Sequence, residues 1–244
     1  MKSPVNLFFD KVYVLSLSKD TEKRKTIGKA LNKQNIEFEF FEAIDGNSSR
    51  FDREWEVYFS TPLMDKTEFI KGRKHIQSRG AWGCLYSHSS LIRKVLSEQI
   101  ERVLILEDDC ILALSFREQF DRFTQLLPND WKLLLLGASQ QQWNDEDISG
   151  ENFYYPTMVD TKGTFAMGYH RSVLREILVE AETKRSAFDN LPVGKVYKKH
   201  WSKCFVAYPN MIIADVSSSS IRDSKNLEEH ALKMKWPLEN FKRE

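Results

Sequence analysis

The chain has 244 residues, 41% hydrophobic and 29% charged, with a formal net charge of +1. This allows one substantial core, excludes wholesale disorder, and gives no global electrostatic case for nucleic acid or an anionic membrane. The three cysteines, Cys84, Cys110 and Cys204, form no CxxC pair, so neither a disulfide framework nor a zinc site is expected and a reducing compartment is the default.

In chain order, MKSPVNLFFD lacks the apolar core of a signal peptide, and no later run approaches the ~20 apolar residues that span a bilayer. The expected location is cytoplasmic. Val12 to Leu17 reads as a strand, and Ser18 or Asp20 can cap a helix with Ile27, Ala30 and Leu31 on one face. Asn35 ends that helix, Ile36 to Phe41 alternates like a second strand, and Asp45-Gly46 marks a turn. Residues 47–79 read as an irregular insertion. Gly80 to Glu98 is a helix, followed at once by the buried strand Val103 to Leu106. Phe116 to Leu127 is a helix and Trp131 to Leu136 a strand. The polar stretch 137–152 is long for a loop and is expected to act as a lid or binding loop. Gly163 to Tyr169 is a strand, Arg171 to Thr183 an amphipathic helix, and Cys204 to Ala207 and Met211 to Ala214 short strands. The division expected is one domain over 1–222, with a charged tail over 223–244. Strand alternating with helix implies an α/β fold.

The chemistry is expected where RVLILEDDC (Arg102 to Cys110) ends on three acids. Clustered carboxylates at the tip of a buried strand repel one another unless a cation lies among them, and this end of an open α/β sheet is where ligands bind. Glu107 and Asp109, two residues apart, can share a side and ligate Mn²⁺ or Mg²⁺, with Asp108 turned toward sugar hydroxyls. The competing reading is a solubilising turn. Ser87-His88, in the preceding helix, is a second candidate against a packing role. Lys19 and Arg24 follow the first strand and can hold phosphate oxygens, whereas Lys23 and Lys25 read as a solvated face. Asp45 is either a ribose or base contact or simply the turn. Asp189 is either a general base or a helix cap.

VYVLSLSKDTEKRKTI with FEFFEAIDG, then GAWGCLYSHSSLIRKVL, VLILEDDCIL, GTFAMGYHRSVLREIL and FDNLPVGKVYKKH together resemble glycosyltransferase family 25 over about residues 11–222. That family includes lipooligosaccharide and procollagen galactosyltransferases. The resemblance implies a GT-A-type, Rossmann-like mixed sheet flanked by helices, and an inverting transfer of a hexose from a nucleotide sugar, usually a UDP-sugar. It implies Mn²⁺ at Glu107 and Asp109, donor contacts at Arg24 and Asp45, and Asp189 as the family's acid; Asp145, Glu146 and Asp147 in the polar loop are rival bases on position alone. The sequence departs from the family at Ser16, commonly Asn, and at Ser18-Lys19, which leaves the base and sugar open.

A glycan such as lipopolysaccharide is the expected acceptor. A modified nucleobase hydroxyl stays open, though nothing basic and aromatic argues for it. The run Lys71 to His75 and the tail imply at most peripheral membrane contact. The alternatives are a metal-dependent phosphohydrolase and a non-catalytic nucleotide- or glycan-binding member of the fold.

Overall fold

The computed structural model describes residues 2–63, 66–143, 152–218 and 226–241. A short helix, α1 (Pro4–Phe8), is capped by Ser3 and carries Pro in its first turn, a start the sequence reading did not anticipate. It feeds β1 (Lys11–Ser16), α2 (Thr21–Lys33) and β2 (Glu39–Glu42). The expected irregular insertion contains α3 (Asp52–Ser60) and α4 (Lys66–Lys71). Phe51, Tyr58 and Ile76 are buried there, and Ile76 N–H donates to the Tyr58 hydroxyl at 3.0 Å. These residues extend the core layer on the α5 side of the sheet, with Trp55 against Trp82.

Helix α5 (Arg79–Ser97) precedes β3 (Arg102–Glu107), and β4 (Cys110–Leu112), α6 (Phe116–Gln125) and β5 (Leu133–Leu135) follow. Then come the two-residue strands β6 (Ser139–Gln140), β7 (Phe153–Tyr154) and β8 (Thr161–Lys162), and β9 (Ala166–His170). The chain continues through α7 (Arg171–Glu182), α8 (Leu191–Lys199), β10 (Cys204–Ala207), β11 (Ile212–Ala214) and α9 (Leu227–Met234). Seven strands form one mixed sheet in the order β2-β1-β3-β9-β5-β10-β7. β2, β1 and β3 run parallel, and β9 is antiparallel to both β3 and β5. The α/β class read from the sequence is the class observed.

Alternation along each strand splits the core into two layers. Val12, Val14, Leu104, Leu106 and Leu134 face the helices α1, α2 and α6, while Tyr13, Leu15, Val103, Ile105 and Leu133 face α5, α7 and α8. The expected charged tail is in part core. Ala231, Met234, Trp236 and Phe241 are buried in the first layer, and Trp236 Nε1 donates to the Ala138 carbonyl at 2.9 Å. Leu227, Ala231, Met234 and Leu238 recur at helical spacing here, a period that the charged residues between them masked. No helix among the described residues is long and apolar enough to cross a membrane.

Candidate active site

Parallel register sets Leu15 beside Glu107 and Ser16 beside Glu42, so three strands end at one edge of the sheet. The Ser16 hydroxyl donates to Asp108 Oδ2 at 2.6 Å, joining the first strand to the acidic tip of the third. Lys23, one turn into α2, brings Nζ to 3.9 Å from the other Asp108 oxygen and lines the cavity here. Burial pushes the Asp108 carboxyl up, and Ser16 and Lys23 pull it back. Across the mouth, Lys19 Nζ donates to Asp45 Oδ2 at 2.5 Å, while Asn47 N–H donates to Oδ1. The Lys19 hydrogen bond, with Asn47 next, holds the Asp45 carboxyl below its usual range.

Two expected donor contacts are engaged in holding the fold. The Arg24 guanidinium donates to the Ser16 carbonyl at 2.8 Å and to Glu42 Oε2 at 2.7 Å, and Arg24 does not line the cavity. It ties the ends of β1 and β2 together. Ser87, on α5, donates to the Gly83 carbonyl at 2.7 Å and accepts from Ile44 N–H at 2.8 Å. It clamps the loop after β2 onto α5. The same crossing explains two glycines: a Cβ on Gly46 would lie 1.7 Å from the Arg79 carbonyl oxygen, and one on Gly83 2.5 Å from that of Ile44.

Glu107 sits at the centre. Its Oε1 lies 3.2 Å from His88 Nε2 and accepts the Thr164 hydroxyl. His88 is fully buried and stacks on Phe188 at 4.5 Å. Its other ring nitrogen, Nδ1, is buried without a hydrogen-bond partner. Asp109 Oδ1 is likewise buried and unpartnered. Its carboxyl is pushed from 3.8 to about 8, first by burial, then by Glu107 and Asp108. The Asp109 main chain is fixed by Asp215 N–H at 2.8 Å.

An orphaned carboxylate oxygen costs about 1–3 kcal/mol, more when charged. A hard divalent cation offers the missing partner, so the oxygen donors at this tip fit Mn²⁺ or Mg²⁺.

A second cavity opens on the far side of Glu107 and Asp109. Asp189, Lys162, Gly163, Thr164 and His230 line it, and Cys84, Glu107 and Asp109 line both halves. Gly163 N–H donates to Asp189 Oδ2 at 3.3 Å. Lys162 Nζ donates to Asn190 Oδ1 and the Met158 carbonyl, and burial lowers its pKa. Asp145, Glu146 and Asp147 lie outside the described residues.

The model of "Glycosyltransferase family 25 (LPS biosynthesis protein)" matches residues 9–172. The chain belongs to glycosyltransferase family 25. Procollagen galactosyltransferase 2 of Mus musculus is 28% identical over 166 residues, covering 62% of this chain and 24% of that protein. The lipooligosaccharide biosynthesis protein lic2B of Haemophilus influenzae is 32% identical over 120 residues, covering 49% of this chain and 38% of that protein. The inactive glycosyltransferase 25 family member 3 of Homo sapiens is 26% identical over 147 residues, covering 57% and 23%. The chain thus spans well under half the length of these relatives. A solved glycosyltransferase involved in glycosylation of the major capsid of PBCV-1 superposes with a TM-score of 0.47 at 12% identity, covering 92% of this chain and 98% of that one.

Within this family 25 chain, the first half of the cleft lies wholly inside the matched residues. The second half takes Asp189, Ala214 and His230 from beyond them. Lys23, expected on a solvated face, instead lines the cleft beside Asp108, and Thr164 and Cys84 line it without having been singled out from the sequence.

Proposed function

We propose that this family 25 chain is an inverting glycosyltransferase that moves a hexose, galactose or glucose, from a UDP-sugar to a hydroxyl on a glycan acceptor. The observation that carries this reading is the shared wall: Cys84, Glu107 and Asp109 border both cavities. A sugar held from one side and a hydroxyl entering from the other would meet at those acids.

Glu107 and Asp109 would hold Mn²⁺ or Mg²⁺, which when bound neutralises charge growing on the leaving diphosphate. Lys19 and Lys23 supply positive charge to the donor half. His88 and Thr164 fix the Glu107 carboxylate, so its oxygens need no reorganisation as charge develops. In the second half, the acceptor oxygen attacks the anomeric carbon, its proton passes to Asp189, and the old bond leaves with its electron pair on the diphosphate. The Gly163 N–H orients the Asp189 carboxylate for that transfer. Direct displacement inverts the anomeric centre.

The lipooligosaccharide relative supports a lipopolysaccharide-type glycan, acted on at the cytoplasmic face of a membrane without a spanning helix in the described residues. Incubation with Mn²⁺, a panel of nucleotide sugars and lipooligosaccharide acceptors tests the reading. Sugar-selective release of UDP, with an acceptor product of inverted configuration, is expected. Cleavage of simple phosphoesters would make the protein a hydrolase. Binding without release would align it with the inactive relatives.

A further inference from the structure

Cys84, His88 and Glu107 stand together at the junction of the two cavities. One ligand atom from each lies within 4.8 Å of the others. Linear spacing hides the group, because no CxxC occurs. Cys84 and His88 are four apart on α5 and so share a helix face, and Glu107 arrives from the neighbouring strand tip. A thiol, an imidazole and a carboxylate make a borderline-soft set suited to Zn²⁺, quite unlike the all-oxygen set that Mn²⁺ or Mg²⁺ prefers. The fully buried His88 ring turns Nε2 toward the carboxylate, 3.2 Å from Glu107 Oε1, a spacing at which one ion can take both atoms. Cys84 borders both cavities, so an ion has a path to the group.

We infer that Cys84, His88 and Glu107 form a distinct binding site for a soft divalent cation such as Zn²⁺, overlapping the hard-cation site through Glu107. Coordination releases the thiol proton to solvent. Because one carboxylate serves both sites, Zn²⁺ here withdraws Glu107 from its role at the junction and blocks the cleft. That inhibitory consequence rests on the proposed transferase reading; the site itself does not.

Co²⁺ is the probe, since a cobalt–thiolate bond gives a charge-transfer absorption that oxygen ligands cannot. The intact protein, titrated with Co²⁺ in the presence of excess Mg²⁺, is expected to develop that band, and one equivalent of Zn²⁺ should erase it. Cys84→Ser should remove the band, with Cys84→Ala as the check against a hydroxyl ligand. Asp109→Asn should keep it. His88→Gln should weaken Co²⁺ binding by about tenfold or more. No band in the wild type, or a band that survives in both Cys84 variants, would overturn the site; loss in Asp109→Asn would overturn its distinctness. Absence of glycosyl transfer in the same preparation would sink the functional reading and leave these outcomes untouched.

Discussion

The two halves of the cleft are built in different ways. The first comes from the ends of β1, β2 and β3 and the adjoining turn of α5, all within residues 15–109. Its geometry follows from parallel register: once Leu15 pairs with Glu107 and Ser16 with Glu42, the side chains beyond them must converge. The second is assembled from fragments scattered between residues 81 and 230, including a glycine turn, a helix start and the C-terminal helix. The first half is therefore anchored directly to the strand ends. The second depends on tertiary docking of late segments.

The largest effect should come from the wall between the halves. Asp109→Ala is expected to cut metal-supported transfer by roughly a thousandfold or more, about 4 kcal/mol, while the protein stays folded. Full activity in that variant would remove the cation from the tip of β3. The pH dependence has a definite sign. The Asp109 carboxyl is raised in the folded state from 3.8 to about 8, so its contribution to stability is fully present below about pH 4 and is lost as pH rises through about 8. Metal-free protein should lose melting temperature over that window, and Asp109→Asn should flatten the slope. Divalent cation competes with the same proton, so Mn²⁺ should raise the melting temperature more at pH 8 than at pH 5.

The second half should break through packing. Trp236 is buried, and its indole N–H holds the Ala138 carbonyl, next to the start of β6. Trp236→Ala should cost about 3–5 kcal/mol by denaturant unfolding. A loss under ~1 kcal/mol would mean that residues 226–241 are the appendage the sequence suggested. Asp189→Asn keeps shape and removes the proposed base; turnover should fall by about a hundredfold with donor KM unchanged. A pure KM effect would move Asp189 to acceptor binding.

What could be read beforehand follows the same division. The buried strands, the acid-tipped β3 and the pairing of GC..SH with LEDD are local patterns, and the structure brings Glu107, Asp108, Asp109, His88, Lys19 and Asp45 into one cleft. β2 was displaced by about three residues because Ile36 is buried in the connection before the strand, which mimics its alternation. The roles of Arg24 and Ser87 turned on partners far away in sequence: Glu42 for the first, Ile44 and its loop for the second. Nothing in KDTEKRK says which cation faces the sheet edge and which braces it. Thr164 and the contribution of His230 depend on long-range docking, which leaves no periodic signal.

The smallest predicted effect separates those two cations. Lys23 and Arg24 are adjacent on α2, but Lys23 lines the first cavity beside Asp108, and Arg24 ties β1 to β2. Lys23→Met keeps the aliphatic stem and removes the charge, which is partly screened by solvent at a side chain 25% exposed. Donor KM should rise about fivefold with turnover nearly constant, equivalent to about 1 kcal/mol. Without that cation the Asp108 carboxyl should shift further up, because burial already raises it and Lys23 opposes the rise. Arg24→Met should instead lower the melting temperature, through the lost hydrogen bonds to Ser16 and Glu42, and leave donor KM within about twofold. If Arg24→Met raised KM more than Lys23→Met did, the guanidinium would have to leave Glu42 when donor binds, and the phosphate role expected for it from its place after the first strand would be restored.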